Sequence, residues 1–223
     1  MHLYMIAQYL NLQNRGEDRF YKLGREYAAR GHNVTLFASG SALGMDLGKK
    51  KIGLLQRDGI TMVAFNVPYQ AGMSRAKKLL SYHKFARMAG KQGLMLPKPD
   101  LLVAATPPLS SALPAIKLKK HFGIPLVLEV RELWPDQPIQ RGTLKNGLLI
   151  GRARKFEEHV YGQADRVIAI SPEIAAAVEK RGAEQSNVVM IPEGPDDQGL
   201  VNSYEQAMKN LVQKDKIKAA NRL

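Results

Sequence analysis

Cysteine is absent from the 223 residues, which excludes a disulfide framework and a thiolate metal site. Histidine is scarce: His2, His32, His83, His121 and His159 are scattered, with no pair at helical ligand spacing, which argues against a zinc-type site. No apolar run approaches the roughly 18 residues of a spanning helix. Met1 leads straight into a strand-like run without the basic start of a signal peptide, so a cytoplasmic location is expected. Neither the G-x-G-x-x-G fingerprint nor a P-loop occurs, which disfavours a small nucleotide-binding module. Tryptophan occurs once, at Trp134.

Acidic residues are missing from Gln70 to Pro99, where seven basic ones gather: Arg75, Lys77, Lys78, Lys84, Arg87, Lys91 and Lys98. The whole chain carries a formal charge of +13. Such an imbalance speaks of anionic partners rather than of fold. Without an aromatic stacking platform or a nucleic-acid motif, nucleic acid is disfavoured. Leu79, Leu80, Tyr82, Phe85, Ala86 and Met88 lie among the basic residues at helix-like spacing. Two readings stay open: a solvated helix whose apolar stripe faces its own core, or a basic amphipathic helix on an anionic bilayer, held by Arg75, Lys77, Lys78, Lys84 and Arg87.

An apolar fraction of 45% is that of an ordinary globular protein, and this length can bury a large core. Strand-like and helix-like segments alternate. Strands are expected at 2–9, 33–38, 60–65, 101–105, 126–130, 166–170 and 187–191, and helices at 16–30, 74–90, 109–121, 148–161 and 172–181. This order predicts an α/β, Rossmann-like, mostly parallel sheet with helices on both faces. After Gly194 the pattern turns polar and lysine-rich, so one domain, 1–195, and a helical tail, 196–223, are expected.

Chemistry is expected at the carboxyl ends of the strands, where ligands bind in open parallel sheets. Ile124 to Leu128 reads as a strand buried on both faces, ending in Glu129-Val130-Arg131-Glu132-Leu133-Trp134-Pro135. Glu129 and Arg131 lie on one side of the strand end and form either a purely structural pair or part of a site. After the first strand, the stretch from Asn11 to Arg19 leads into a helix. Gly16 there would let backbone N–H groups approach an anion, although Glu17 and Asp18 already complement the helix dipole. Thr106-Pro107-Pro108 makes a stiff turn at the same edge, and Ser171 before Pro172 reads most simply as a helix N-cap.

In order, these segments resemble the N-terminal domain of family 4 glycosyltransferases, especially bacterial enzymes that build surface polysaccharides. The resemblance rests on Arg19 to Phe37, Pro99 to Leu109, the E-V-R-E-L-W-P run at Glu129 to Pro135, Ala164 to Ser171, and Val189 to Gly194, and it spans roughly residues 1 to 195. Glu132 stands where the family usually has aspartate, and Glu193-Gly194-Pro195-Asp196 where it usually reads N-G-x-D.

The resemblance implies a GT-B architecture, two Rossmann-like halves facing across a cleft. This chain is then the acceptor-side half, its acceptor a lipid-linked saccharide at the membrane. The nucleotide-sugar donor would be held by a complementary C-terminal domain, absent here or supplied by a partner subunit. Transfer would retain anomeric configuration, with no metal or other cofactor. Arg131 and Glu132 would be catalytic, Arg131 stabilising the leaving diphosphate and Glu132 orienting an acceptor hydroxyl. Gly16, Arg19, Glu129, Pro107 and Ser171 would border the substrate. The alternatives are a non-catalytic membrane-docking or assembly subunit, peripheral on the inner face of the cell membrane, and an inactive fragment.

Overall fold

The computed structural model describes residues 1–10, 12, 18–68, 72–194 and 196–220, except the side chains of 210 and 212–220. Among the described residues, eight strands, β1 (His2–Ile6), β2 (Asn33–Ser39), β3 (Ile52–Arg57), β4 (Ile60–Phe65), β5 (Leu101–Thr106), β6 (Leu126–Val130), β7 (Arg166–Ala169) and β8 (Val188–Met190), form one sheet. Their order is β3-β4-β2-β1-β5-β6-β7-β8. Every neighbouring pair is parallel except β3 and β4. The order reverses direction between β1 and β5, which opens a crevice beyond their carboxyl ends.

The helices are α1 (Arg19–Ala29), α2 (Arg75–Met95), α3 (Ala112–Phe122), α4 (Asp136–Gln140), α5 (Gly147–Gly162), α6 (Pro172–Lys180) and α7 (Asp197–Ala220). The sheet separates two cores because alternate residues of each strand point to opposite faces. Leu3 and Met5 of β1 join Phe20, Leu23 and Tyr27 of α1 and Val201 and Tyr204 of α7. Tyr4 and Ile6 join Phe85 of α2, Ala115 and Leu118 of α3, Val160 of α5 and Val178 of α6. The expected α/β, Rossmann-like sheet with both faces covered is therefore the observed fold.

Three departures from expectation have local causes. The strand β3 was not expected, because its residues are mostly partly or fully exposed and lack a buried strand's apolar run. It pairs antiparallel with β4 through Asp58 and Gly59, both at positive φ (51° and 75°), as a two-residue hairpin turn requires. The short α4 follows Pro135 directly and buries none of its residues fully, so it carries no apolar periodicity. The segment after residue 196 is not a tail: α7 lays Leu200, Val201, Tyr204, Ala207 and Met208 into the core beside α1. Those positions follow an i, i+1, i+4, i+7, i+8 pattern, the stripe of a core-facing helix.

Candidate functional site

The carboxyl end of β6 carries a buried charged cluster. Glu129 lies within the strand, in register with Ala105 of β5 and Ile168 of β7, and is wholly buried. A carboxylate there costs several kcal/mol of desolvation, of the order known for buried ions, unless it is paired and hydrogen-bonded. Three groups meet it: Arg131 donates from Nε to Oε1, the Tyr204 hydroxyl donates to Oε2, and Arg19 Nε stands 3.5 Å from Oε2.

Arg131 continues the network. Its Nη1 lies 3.5 Å from Asp18 Oδ2, and its guanidinium sits 5.8 Å from the centre of the Phe20 ring. Burial pulls the Arg131 pKa down, but the carboxylates of Glu129 and Asp18 more than offset this and hold it above the ordinary value. Arg131 Nη2 is buried and has no hydrogen-bond partner among the described residues. Asp18 also caps α1, accepting from the N–H groups of Phe20 and Tyr21 at 2.9 and 3.3 Å. Arg19 donates to the carbonyls of Pro192 and Ile191 at 2.6 and 2.9 Å, fastening the segment after β8. One cluster thus joins β6, the N-terminus of α1, α7 and the segment that follows β8.

A second cluster holds the loop after β6 from the other side. Arg154 and Arg181 both reach the Asp136 carboxylate, Arg181 at 2.7 Å. The same two arginines reach Glu157, wholly buried in α5, at 3.1 and 3.0 Å, and the Tyr161 hydroxyl donates to it at 3.2 Å. Trp134 packs edge-on against Phe156, ring centres 6.1 Å apart. The motif loop is therefore clamped at both ends by ion pairs.

Burial pushes the Asp136 carboxyl up, and the hydrogen bonds and charges of Arg154 and Arg181 outweigh it, leaving its pKa below the ordinary 3.8. A depressed carboxylate stabilises the fold above its unfolded pKa, and that contribution is lost as pH falls through the folded value. Asp136→Asn should therefore be less stable than wild type at pH 6, and the gap should close below pH 3.8. Urea unfolding across that range measures it; a gap that stays constant down to the acid limit would contradict the assignment.

Of the residues singled out from sequence, Arg131, Glu129 and Arg19 come together in one cluster. Glu132 is exposed and makes no hydrogen bond or ion pair among the described residues. Pro107 is exposed in the loop after β5. Ser171 caps α6, accepting from the Ile174 N–H at 3.3 Å. Gly16 lies outside the described residues. Arg75, Lys77, Lys84 and Arg87 are exposed on α2 and Lys78 is partly exposed. The expected apolar stripe of α2 is corrected: Phe85, with Ser81, Ala89, Gly90 and Gly93, faces the core, while Leu79 and Leu80 are 67% and 69% exposed. The reason is that Gly90 and Gly93 allow the distal half of α2 to lie close on α3, where a Cβ at Gly93 would fall 2.7 Å from Leu118.

Sequence reasoning did not reach Tyr204, nor the second cluster of Asp136, Arg154, Glu157 and Arg181. Asp18 was read as complementing the helix dipole, not as a partner of Arg131. Among the described residues no three His, Asp or Glu side chains converge as a metal ion would need. Among the described residues no helix is long and apolar enough to cross a membrane.

A doubly wound sheet covered by helices on both faces, with charged groups at its carboxyl edge, defines a Rossmann-like domain. The chain belongs to the glycosyl transferase 4-like domain family, whose model matches residues 16–194. No curated protein matches the sequence. Among solved structures it is similar to a sucrose-phosphate synthase from Thermosynechococcus elongatus in a form designated 27–220 and 406–426, with 14% identity and a TM-score of 0.66 over 95% of this chain and 99% of that one. Another structure of that synthase gives 16% identity and a TM-score of 0.62, over 88% of this chain and 49% of the other. HepE from Anabaena in complex with UDP gives 16% and 0.52, over 88% and 45%. The chain thus spans about half the length of these last two structures. Its fold is that of GT-B glycosyltransferases, of the family 4 N-terminal type.

Proposed function

We propose that this chain is the acceptor-side half of a retaining glycosyltransferase that moves a sugar from a nucleotide sugar to a lipid-linked saccharide in surface-polysaccharide synthesis. The observation that carries the reading is the buried Glu129–Arg131 cluster at the carboxyl edge of a glycosyl transferase 4-like domain. A second Rossmann-like half would hold the nucleotide sugar; HepE in its complex with UDP supports that class of donor. A lone half cannot hold both reactants together, and joint positioning supplies much of the rate. Residues 1–195, with their core completed by the following helix, are proposed as the acceptor unit.

In this reading Arg131, partly exposed at the carboxyl edge, faces a diphosphate oxygen while Glu129 and Asp18 fix its plane. Glu132, already in solvent, is free to meet an acceptor hydroxyl across the cleft. Arg19, Pro107 and Ser171 border the ligand at neighbouring strand ends, and Gly16 is assigned to the ligand from the sequence resemblance alone. No metal or cofactor takes part. The site works at the cytoplasmic face of the membrane, where lipid-linked acceptors would reach it, with basic α2 toward the anionic surface.

Calorimetric titration tests the division of labour. A short-chain prenyl-diphosphate-linked N-acetylglucosamine should bind saturably in detergent, while UDP-glucose should give no heat of binding in the same concentration range. Tight binding of UDP-glucose by this chain, with none of the lipid-linked sugar, would reverse the assignment.

A second reading, a non-catalytic membrane-docking or assembly subunit, is favoured by one observation: Leu79 and Leu80 stand exposed among the basic residues of α2.

A further inference from the structure

Exposed leucines on this molecule are not confined to α2. Leu148 and Leu149, in the first turn of α5, are 66% and 48% exposed. Burying a leucine is worth about 1.5–3 kcal/mol, so four standing in solvent, as two adjacent pairs, signal a face with a partner.

The fold brings the two pairs to one side. Arg75, the first residue of α2, donates from Nη1 to the carbonyl of Thr143 at 2.5 Å, four residues before α5 begins. Leu79 and Leu80 follow Arg75 by four and five residues, roughly 6–8 Å along the helix at 1.5 Å per residue. Both helices start from the carboxyl edge of the sheet, α2 after β4 and α5 after β6.

Charge says what the partner is. No acidic residue occurs between Asp58 and Asp100 or between Asp136 and Glu157. Arg141, Lys145, Arg152 and Lys155 are exposed around the α5 leucines, as Lys77, Lys84 and Arg87 are around those of α2. On α2, Lys77, Leu80, Lys84 and Arg87 recur every three or four residues, opposite the buried stripe of Ser81, Phe85 and Ala89. Leucines ringed by cations, with no anion in either segment, match an anionic bilayer: apolar side chains enter the acyl boundary and cations meet headgroups.

We propose that Leu79–Leu80 of α2 and Leu148–Leu149 of α5 form one two-helix docking surface for an anionic lipid bilayer, with the basic residues of both helices around it. It extends the membrane contact assigned to α2 in the preceding reading and rests on that reading for its use in acceptor delivery. Two contacts fix orientation where one helix would leave the domain free to roll. The surface turns the carboxyl edge, and with it Arg131, toward the lipid.

Co-sedimentation with vesicles tests it. The full chain should bind vesicles of phosphatidylcholine and phosphatidylglycerol at low salt and not bind pure phosphatidylcholine. Leu148→Asp/Leu149→Asp should weaken partitioning about tenfold or more while leaving the unfolding midpoint unchanged, because both sites are exposed. In a Leu148→Trp variant, fluorescence should be quenched by brominated lipid, beyond any quenching of Trp134 in wild type. Wild-type binding undiminished in the α5 double variant, but reduced by Lys77→Glu/Lys84→Glu, would overturn the two-helix surface and leave the α2 contact standing. Absence of binding by wild type at low salt would overturn both membrane contacts, and the calorimetric result for the acceptor half would be untouched by either.

Discussion

Replacing Glu129 by glutamine should destabilise this protein by about 3–5 kcal/mol, a loss comparable to much of the 5–15 kcal/mol that holds an ordinary domain folded. The substitution preserves volume and leaves an oxygen for one donor, so the cost is electrostatic. Arg131 and Arg19 remain at the sheet edge with Asp18 as the only carboxylate of the cluster facing them. Removing one partner of a buried pair is costly because the survivor's charge stays desolvated. The double variant Glu129→Gln/Arg131→Gln should therefore be less destabilised than the sum of the single variants, a coupling of about 0.5–3 kcal/mol for neighbours in one network. Urea unfolding followed by Trp134 fluorescence, the only tryptophan signal in the chain, gives both numbers. Additive losses would mean that Glu129 and Arg131 do not act as a unit.

A chain ending at Asp196 should fail to fold. It loses Leu200, Val201, Tyr204 and Met208 from the α1 face of the sheet, all of them 3% exposed or less. At about 1.5–3 kcal/mol for each large side chain, counted as an upper estimate, their burial is of the same order as the whole stability of a domain. It also loses the Tyr204 hydroxyl from Glu129, and the salt bridges from Asp197 to Lys22 and Arg25. The truncated chain should show flattened near-ultraviolet circular dichroism and strong dye binding by exposed apolar surface. The milder Tyr204→Phe isolates one part of this: it withdraws a single donor from a buried carboxylate and should cost about 1–3 kcal/mol. A cooperative, wild-type-like transition in the truncated chain would show that α7 is an appendage after all.

The sheet was legible because its strands are buried on both faces and read as unbroken apolar runs, as at Leu126 to Leu128 and Leu101 to Ala105. β3 was not, because an edge strand needs little apolar character; its one clear signal was the Asp58-Gly59 turn. α7 was legible as a helix but not as part of the core: Leu200, Val201, Tyr204, Ala207 and Met208 are few among polar and lysine-rich neighbours.

At the site, the pairing of Glu129 with Arg131 followed from period-two spacing on one strand. The reach of Tyr204 across 75 positions leaves no trace in local sequence. The same holds for Arg181 and Asp136, joined from the end of α6 to the start of α4 by tertiary packing alone. Arg131 emerges less exposed to a ligand than a strand-end guanidinium suggests, with Nη2 buried and without a hydrogen-bond partner among the described residues. Glu132, next to it, is the group left in solvent.

The central claim is that the carboxyl edge of this half receives the acceptor. Backbone amide NMR shifts during titration with the prenyl-diphosphate-linked sugar test it most directly. Changes are predicted at Gln8 and Tyr9, at Thr106, Leu109, Ser110 and Ser111, and at Arg131 to Trp134, with none at the opposite edge around Asp100 and Leu126. Shifts confined to that opposite edge, or no shift at ligand concentrations that saturate the calorimetric signal, would contradict it.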